Sequence, residues 1–103
     1  MYTLKDFRKF VCQNIDEEIT INVVKYHGWD GIGDDQYECV YSTCYVEING
    51  EFEEDIWDSN LYEDTQENNK LVDKETKKFV TKLKGWLKEF NKDIELKISE
   101  TNI

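Results

Sequence analysis

The chain has 103 residues, a mass of 12.3 kDa and a formal net charge of −10, with 23 acidic side chains against 13 basic ones. This length accommodates one domain, which we expect to span residues 1–103. So acidic a chain is not expected to bind nucleic acid or an anionic membrane directly, because both carry the same sign of charge.

The cellular compartment is predicted from the absence of membrane-spanning and export segments in the sequence. The sequence has no apolar run near the roughly 18 residues that cross a bilayer, and its first residues do not resemble an export signal. Three cysteines without an export signal predict reduced thiols in a cytoplasm. Lysine predominates over arginine, and alanine and proline are absent, which is typical of genes from an AT-rich bacterium or a phage or mobile element within one. We therefore expect the bacterial host cytoplasm.

The first elements in chain order are a helix and a strand. Residues 3–15 predict an amphipathic helix that begins with the capping spacing of Thr3 and Asp6. Residues 19–26 predict a strand, because β-branched residues alternate along them. Residues 27–35, HGWDGIGDD, hold three glycines and three aspartates and predict a loop.

A hairpin and a second helix follow. Residues 37–48 give the strongest strand signal, Asn49-Gly50 indicates a tight turn, and residues 51–57 form the return strand. Residues 58–69 are polar and predicted irregular, residues 71–92 predict a helix weakened slightly at Gly85, and alternation at 94–98 predicts a last strand. The order α-β-β-β-α-β predicts an α+β domain whose mostly antiparallel sheet carries two helices on one face.

The hairpin register decides which side chains share a face. A two-residue turn would place Glu51 and Glu53 among apolar residues, at a cost of several kcal/mol. We therefore expect a three-residue loop, 48–50, with Gly50 left-handed. It predicts the pairs Glu47 with Glu51, Tyr45 with Glu53, Thr43 with Asp55 and Tyr41 with Trp57, and leaves Ser42, Cys44, Val46, Phe52 and Ile56 on the opposite face.

Charge is segregated along the chain. Residues 1–69 carry four basic and 17 acidic side chains (net −13), whereas residues 70–103 carry nine lysines and six acids (net +3). The acidic hairpin face is either a solvated surface or a surface complementary to a basic groove, and the segregation favours the groove. The predicted partner-binding residues are Glu47, Glu51, Glu53, Asp55, Tyr41, Tyr45, Trp57, Trp29, Asp34 and Asp35.

Two further features leave alternatives open. Trp29, in the glycine-rich segment, is expected either at a binding tip or folded back onto the core. The lysines of the second helix are expected on its solvated side; the alternative is a contact with the acidic face of another copy, giving a homodimer. These lysines are Lys74, Lys77, Lys78, Lys82, Lys84 and Lys88.

Metal and catalytic motifs are not matched. His27 with Cys12, Cys39 and Cys44 has the ligand types of a zinc site, but Cys39 and Cys44 are five apart on one strand and point to opposite faces. The cysteines are expected to be buried and apolar in character. The acidic segments do not fit a calcium loop, and no nucleophile has an orienting partner. We expect no enzyme, no metal and no cofactor.

In size, charge and coding bias, the chain resembles the small acidic inhibitors that phages and mobile elements encode against host nucleases, such as anti-CRISPR and DNA-mimic proteins. The resemblance rests on overall character and carries over no residue. It implies a non-enzymatic inhibitor that occupies the basic nucleic-acid-binding channel of a host nuclease or CRISPR effector. The alternatives are an immunity protein against a basic toxin nuclease, and a metal-binding module or metal-dependent enzyme that uses the acidic loops.

Overall fold

Two helices and a five-stranded sheet are formed within residues 2–102, the part of the chain that the computed structural model describes. The predicted α+β class and the order α-β-β-β-α-β are confirmed, with a short extra strand and one 3-10 turn, Gly33–Asp35, added. Residues 1 and 103, the predicted limits of the domain, lie outside the described residues. The helices are α1 (Leu4–Gln13) and α2 (Gln66–Leu87), and the strands are β1 (Ile19–Asp30), β2 (Tyr37–Ile48), β3 (Glu51–Asp58), β4 (Tyr62–Glu63) and β5 (Glu95–Asn102).

Helix α1 begins at the predicted capping box. The Thr3 hydroxyl accepts from the Asp6 amide at 3.3 Å, and the Asp6 carboxylate accepts from the Thr3 amide at 2.8 Å. These bonds satisfy backbone donors that the first helical turn leaves free. At the other end, the Asn14 side chain donates to the Phe10 carbonyl at 2.8 Å.

The sheet has the strand order β3-β2-β1-β5, and β4 pairs with β2 beyond the end of β3. Strands β1 and β5 are parallel, and all the other pairs are antiparallel. Helix α2 lies between β4 and β5 in the chain, so it connects the edge of the sheet that holds β3 and β4 to the edge that holds β5. A crossover of this kind is what a parallel neighbour requires.

One face of the sheet, the inner face, holds the hydrophobic core. Alternate residues of β1 and β2 contribute to it because strand side chains alternate between faces. Both helices cover this face, as predicted. The core residues are Ile19, Ile21 and Val23 of β1, Cys44 and Val46 of β2, Ile56 of β3, Phe7, Phe10 and Val11 of α1, and Phe79, Val80, Leu83 and Trp86 of α2.

Several boundaries differ from the prediction: α2 ends at Leu87 and not at residue 92, and β5 ends at Asn102 and not at residue 98. Strand β1 continues to Asp30, because Gly28 pairs with Cys39 and Trp29 with Glu38 across to β2, so only the second half of the predicted loop is irregular. Helix α2 begins at Gln66, because the Thr65 hydroxyl accepts from the Asn68 amide at 3.1 Å and caps it. Neither helix described in residues 2–102 has the length and apolar character to cross a membrane.

Candidate functional site

The β2–β3 hairpin turns in two residues, so the predicted three-residue loop is wrong. Asn49 and Gly50 both have positive φ, 54° and 83°, and Ile48 pairs directly with Glu51. This is the geometry of a tight hairpin turn matched to strand twist. The Asn49 side chain also accepts from the Glu18 amide at 3.0 Å and fixes the turn against the end of the α1–β1 connection.

Two bulges interrupt the alternation of side chains along β3. The register shifts between Cys44 and Tyr45 and again between Val46 and Glu47, each time leaving one extra residue on β3. Because an extra residue reverses the alternation, Asp55 comes to lie opposite Tyr45 on one face, whereas Glu51 and Glu54 lie opposite Ile48 and Val46 on the other. The predicted pairs are therefore replaced by Glu47 with Phe52, Tyr45 with Asp55, Cys44 with Trp57 and Thr43 with Asp58.

Trp57 and Phe52 exchange faces relative to the prediction. Trp57 lies opposite core residue Cys44 and stacks on Phe79 of α2, so it is absent from the acidic face. Phe52, expected on the core side, lies opposite Glu47 and is 60 % exposed. It takes a place beside Tyr45, with ring centroids 5.8 Å apart.

The second side of the sheet, the outer face, is covered by neither helix of the described chain. Small side chains occupy its centre, and aromatic and acidic side chains stand around them. By register, the outer face comprises Thr20, Asn22, Val24 and Tyr26 of β1, Tyr41, Thr43, Tyr45 and Glu47 of β2, Phe52, Asp55 and Asp58 of β3, and Glu95, Lys97, Ser99 and Thr101 of β5.

Tyrosine rings shield the centre of the outer face. Tyr26 and Tyr41 stack across β1 and β2 with centroids 5.4 Å apart. Val24 and Thr43, between the aromatic pairs, are each less than a tenth exposed although no helix covers them. Partial burial of the phenol raises the pKa of Tyr41 above its ordinary value, and burial does the same to the pKa of Tyr45. Both hydroxyls are therefore neutral donors and acceptors at neutral pH.

The acidic residues of the hairpin divide between two environments. Glu47 is half-buried on the outer face and accepts a hydrogen bond from Asn22. Asp55 is exposed in the same row as Tyr45. Glu51 pairs with Ile48, which belongs to the inner-face alternation, and Glu53 falls at a bulge. Of the four predicted carboxylates, Glu47 and Asp55 belong to the outer face, and Asp58 joins them.

Trp29 is exposed and does not fold back onto the core. Its side chain is 62 % exposed near the end of β1, while Asp34 and Asp35 are exposed in the following 3-10 turn. Trp29 forms one wall of a depression of about 330 Å³ that reaches Tyr41. We call this depression the Trp29 cleft; its other lining residues are Asp30, Cys39, Asp58, Ser59 and Leu61.

One polar cluster was not predicted. His27 lies on the inner face with its Nδ1 2.8 Å from Asp64 and its Nε2 2.6 Å from Glu100. Hydrogen bonding to Asp64 raises the pKa of His27, and the same bond lowers the pKa of Asp64. The partners are 37 and 73 residues away in sequence, so no local pattern indicated them. Beside this cluster, Lys25 pairs with Asp73 of α2 at 2.9 Å.

The thiols have three different environments. Cys44 is buried in the core and Cys39 is buried on the other side of the sheet, so they point to opposite faces as predicted. Cys12 is exposed on α1, which corrects the expectation that all three are buried. Within residues 2–102, no group of three or more His, Cys, Asp or Glu side chains is arranged to hold a metal ion.

The chain was compared with protein-family models, with curated proteins and with solved structures, and no match was found in any of the three comparisons.

Proposed function

We propose that this chain is a non-enzymatic inhibitor whose outer face binds the basic nucleic-acid-binding groove of a host nuclease or defence protein. The observation that carries the proposal is the juxtaposition, on an uncovered sheet face, of Asp55 and Asp58 with Tyr45 and Phe52. Carboxylates at strand spacing present a row of negative charge, and exposed aromatic rings supply anchoring area. A groove built for phosphates and bases would receive both kinds of group.

The charges of the outer face are not neutralised within the molecule. The ion pairs of the described chain join Arg8 to Glu89, Lys25 to Asp73, and His27 to Asp64 and Glu100, and none includes Asp55 or Asp58. Lys97 shares the row of Asp55 but lies three strands away, about 14 Å at the usual strand spacing. That separation exceeds the Debye length of about 8 Å at physiological salt, so the negative field at β3 persists.

The lysines of α2 occupy the opposite side of the molecule. The lysines predicted to form the solvated side of α2 are all exposed, and α2 covers the inner face. The helix layer therefore separates them from the outer face. An acidic face so oriented would be steered toward a basic partner at an elevated association rate.

The test begins with capture of a partner by this protein from a bacterial lysate treated with nuclease. The captured protein is then purified and its affinity is measured for the wild type, for Asp55→Lys/Asp58→Lys, and for Asp16→Lys/Asp93→Lys. The control pair makes the same change in net charge at exposed positions away from the outer face. We expect the outer-face pair to weaken binding by about tenfold or more, chiefly through the association rate, and the control pair to change it by less than about threefold.

Two measurements on the same complex decide between mimicry and ordinary binding. Affinity is expected to fall steeply as salt rises, and the partner's own DNA or RNA ligand is expected to exclude this protein. A ternary complex with nucleic acid still in its groove, or affinity unchanged between low and physiological salt, would contradict the proposal. If the captured protein is a toxin nuclease encoded beside this gene, the same surface serves an immunity protein.

A further inference from the structure

The Trp29 cleft combines two aromatic walls with two carboxylates. Trp29 and Tyr41 supply the rings, Asp30 and Asp58 supply the charges, and Leu61 is an exposed apolar side chain beside them. Cys39, only 2 % exposed, closes the base. Three stretches of chain contribute: β1, β2 and the segment from the end of β3 toward β4.

The groups that line the cleft have few partners inside the molecule. Within residues 2–102, Trp29 makes no contact with another aromatic ring, and the Asp58 carboxylate has no hydrogen bond or ion pair. Asp30 accepts one hydrogen bond, from the Tyr37 hydroxyl at 3.1 Å. Aromatic faces and carboxylates both attract cations, and here neither is satisfied by a lysine or arginine of this chain.

We propose that the Trp29 cleft receives an arginine side chain of a basic partner. A guanidinium is planar, so it stacks on the Trp29 or Tyr41 ring while its N–H groups donate to Asp58 or Asp30. An ammonium makes a weaker match, because it is strongly hydrated and has no flat face. The identity of the molecule that supplies the arginine rests on the proposed function, whereas the preference of the cleft for a guanidinium does not.

The test uses three peptides of six residues on the intact protein: hexa-arginine, hexa-citrulline and hexa-lysine. Citrulline keeps the planar shape of arginine and removes its charge. Binding is followed by the amide and indole N–H signals in two-dimensional NMR and by a dissociation constant from tryptophan fluorescence. We expect hexa-arginine to shift the Trp29 indole signal saturably, hexa-citrulline to leave it unchanged, and hexa-lysine to bind about threefold or more weakly.

Matched variants locate the site. Trp29→Ala and Asp58→Asn are expected to weaken hexa-arginine binding by about three- to tenfold. Phe52→Ala removes an exposed ring of the outer face, and Asp55→Asn removes a neighbouring carboxylate of the same strand as Asp58. Each is expected to weaken binding of hexa-arginine less than Trp29→Ala or Asp58→Asn does. The dispersion of the NMR spectrum confirms that each variant is folded.

Two outcomes overturn the assignment of the arginine to the cleft. If Asp55→Asn weakens binding as much as Asp58→Asn, or hexa-lysine binds as tightly as hexa-arginine, the peptide is held by the diffuse acidic field and not by the cleft. In that case the proposed docking function still stands on its own experiment. If the peptide is bound as expected but no nucleic-acid-binding partner is captured, the cleft stands and the proposed function fails.

Discussion

Trp57 and Phe79 stack with ring centroids 4.5 Å apart and their planes within 3° of parallel. The contact joins the outermost strand of the hairpin to the middle of α2, across the edge of the core. The largest side chain of β3 therefore serves packing and is not free to contact a partner. Among the aromatic residues of the hairpin, Tyr41, Tyr45 and Phe52 lie on the outer face, and the proposed anchoring role falls to them.

Trp57→Ala is expected to lower the free energy of unfolding by about 2–4 kcal/mol, because it removes the stack and leaves a void beside Ile56. Trp29→Ala, which removes the same side chain at a 62 % exposed position, is expected to change it by less than about 0.5 kcal/mol. Urea denaturation of the two variants makes the comparison. Equal losses would mean that Trp29 packs in solution in a way that the structure does not describe.

His27 makes stability depend on pH near neutrality. Its pKa in the folded protein is raised, first by the hydrogen bond to Asp64 and further by Glu100, above the ordinary value of 6.5. The protonated imidazole therefore stabilises the fold fully below the unfolded pKa, and this contribution is lost as pH rises through the folded pKa. Asp64 has a lowered pKa, so its contribution persists above the ordinary carboxyl range and is lost in acid.

The free energy of unfolding is measured for the wild type and for His27→Gln between about pH 5 and pH 9. This interval spans the ordinary pKa range of histidine. The wild type is expected to lose stability relative to His27→Gln as pH rises across this interval. Asn69 also donates to Asp64, at 2.6 Å, so the carboxylate keeps a partner in the variant. A difference between the two proteins that is constant with pH would show that the pKa of His27 is the same in the folded and unfolded states, which would contradict the raised pKa.

The thiols are expected to react in two classes. Cys12 is exposed on α1, so in the native protein it is predicted to react with a thiol reagent as soon as the two are mixed. Cys39 and Cys44 are buried, and burial raises the pKa of Cys44 to about 12, so both are predicted to react only on unfolding. Counting the thiols modified before and after addition of denaturant checks this. Three fast-reacting thiols would contradict the burial of β2.

Replacement of the same residues separates packing from chemistry. Cys44→Ala is expected to cost about 1–2 kcal/mol of unfolding free energy because Cys44 lies within the core, whereas Cys12→Ala is expected to cost less than about 0.5 kcal/mol. Partner binding is expected to survive both replacements. Loss of binding by a folded Cys12→Ala variant would assign that thiol a function instead.

Two glycines are expected to respond to alanine in opposite directions. Gly31 has φ +107°, and an added Cβ would clash with the Asp35 carbonyl oxygen, so Gly31→Ala is expected to destabilise the fold by about 1–3 kcal/mol. Gly85 lies inside α2 with no atom near its added Cβ, so Gly85→Ala is expected to stabilise the protein by about 0.5–1 kcal/mol. Thermal melts of the two variants give the signs directly.

Local signals predicted the elements, and long-range pairing set their register. Thr3 and Asp6 identified the start of α1 because a capping box lies within four consecutive residues. The predicted hairpin register was wrong because it depends on two bulges, one of which lies beside Trp57, the residue that stacks on Phe79 of α2. The parallel pairing of β5 with β1 joins residues such as Thr20 and Glu95, for which the sequence carries no local signal.

The same division applies to the candidate site. Tyr41 and Tyr45 were expected on one face and lie there, because alternation along one strand is a local property. Trp57 was misplaced by the register, and the Trp29 cleft was not foreseen because Asp58 reaches it from another strand. The environment of His27 likewise depends on segments far away in the chain.

The bulges of the hairpin have a consequence for how copies of this chain meet. Strand β3 is an outermost strand, and an outermost strand with free N–H and C=O groups is a template for aggregation by strand addition. Two register shifts within eight residues bend and twist β3, so a flat second strand would lose alignment after a few residues. Consecutive acidic residues, Glu53, Glu54 and Asp55, would also repel a second β3 brought alongside. The distortion that places Asp55 opposite Tyr45 thus also discourages amyloid-like pairing at this edge.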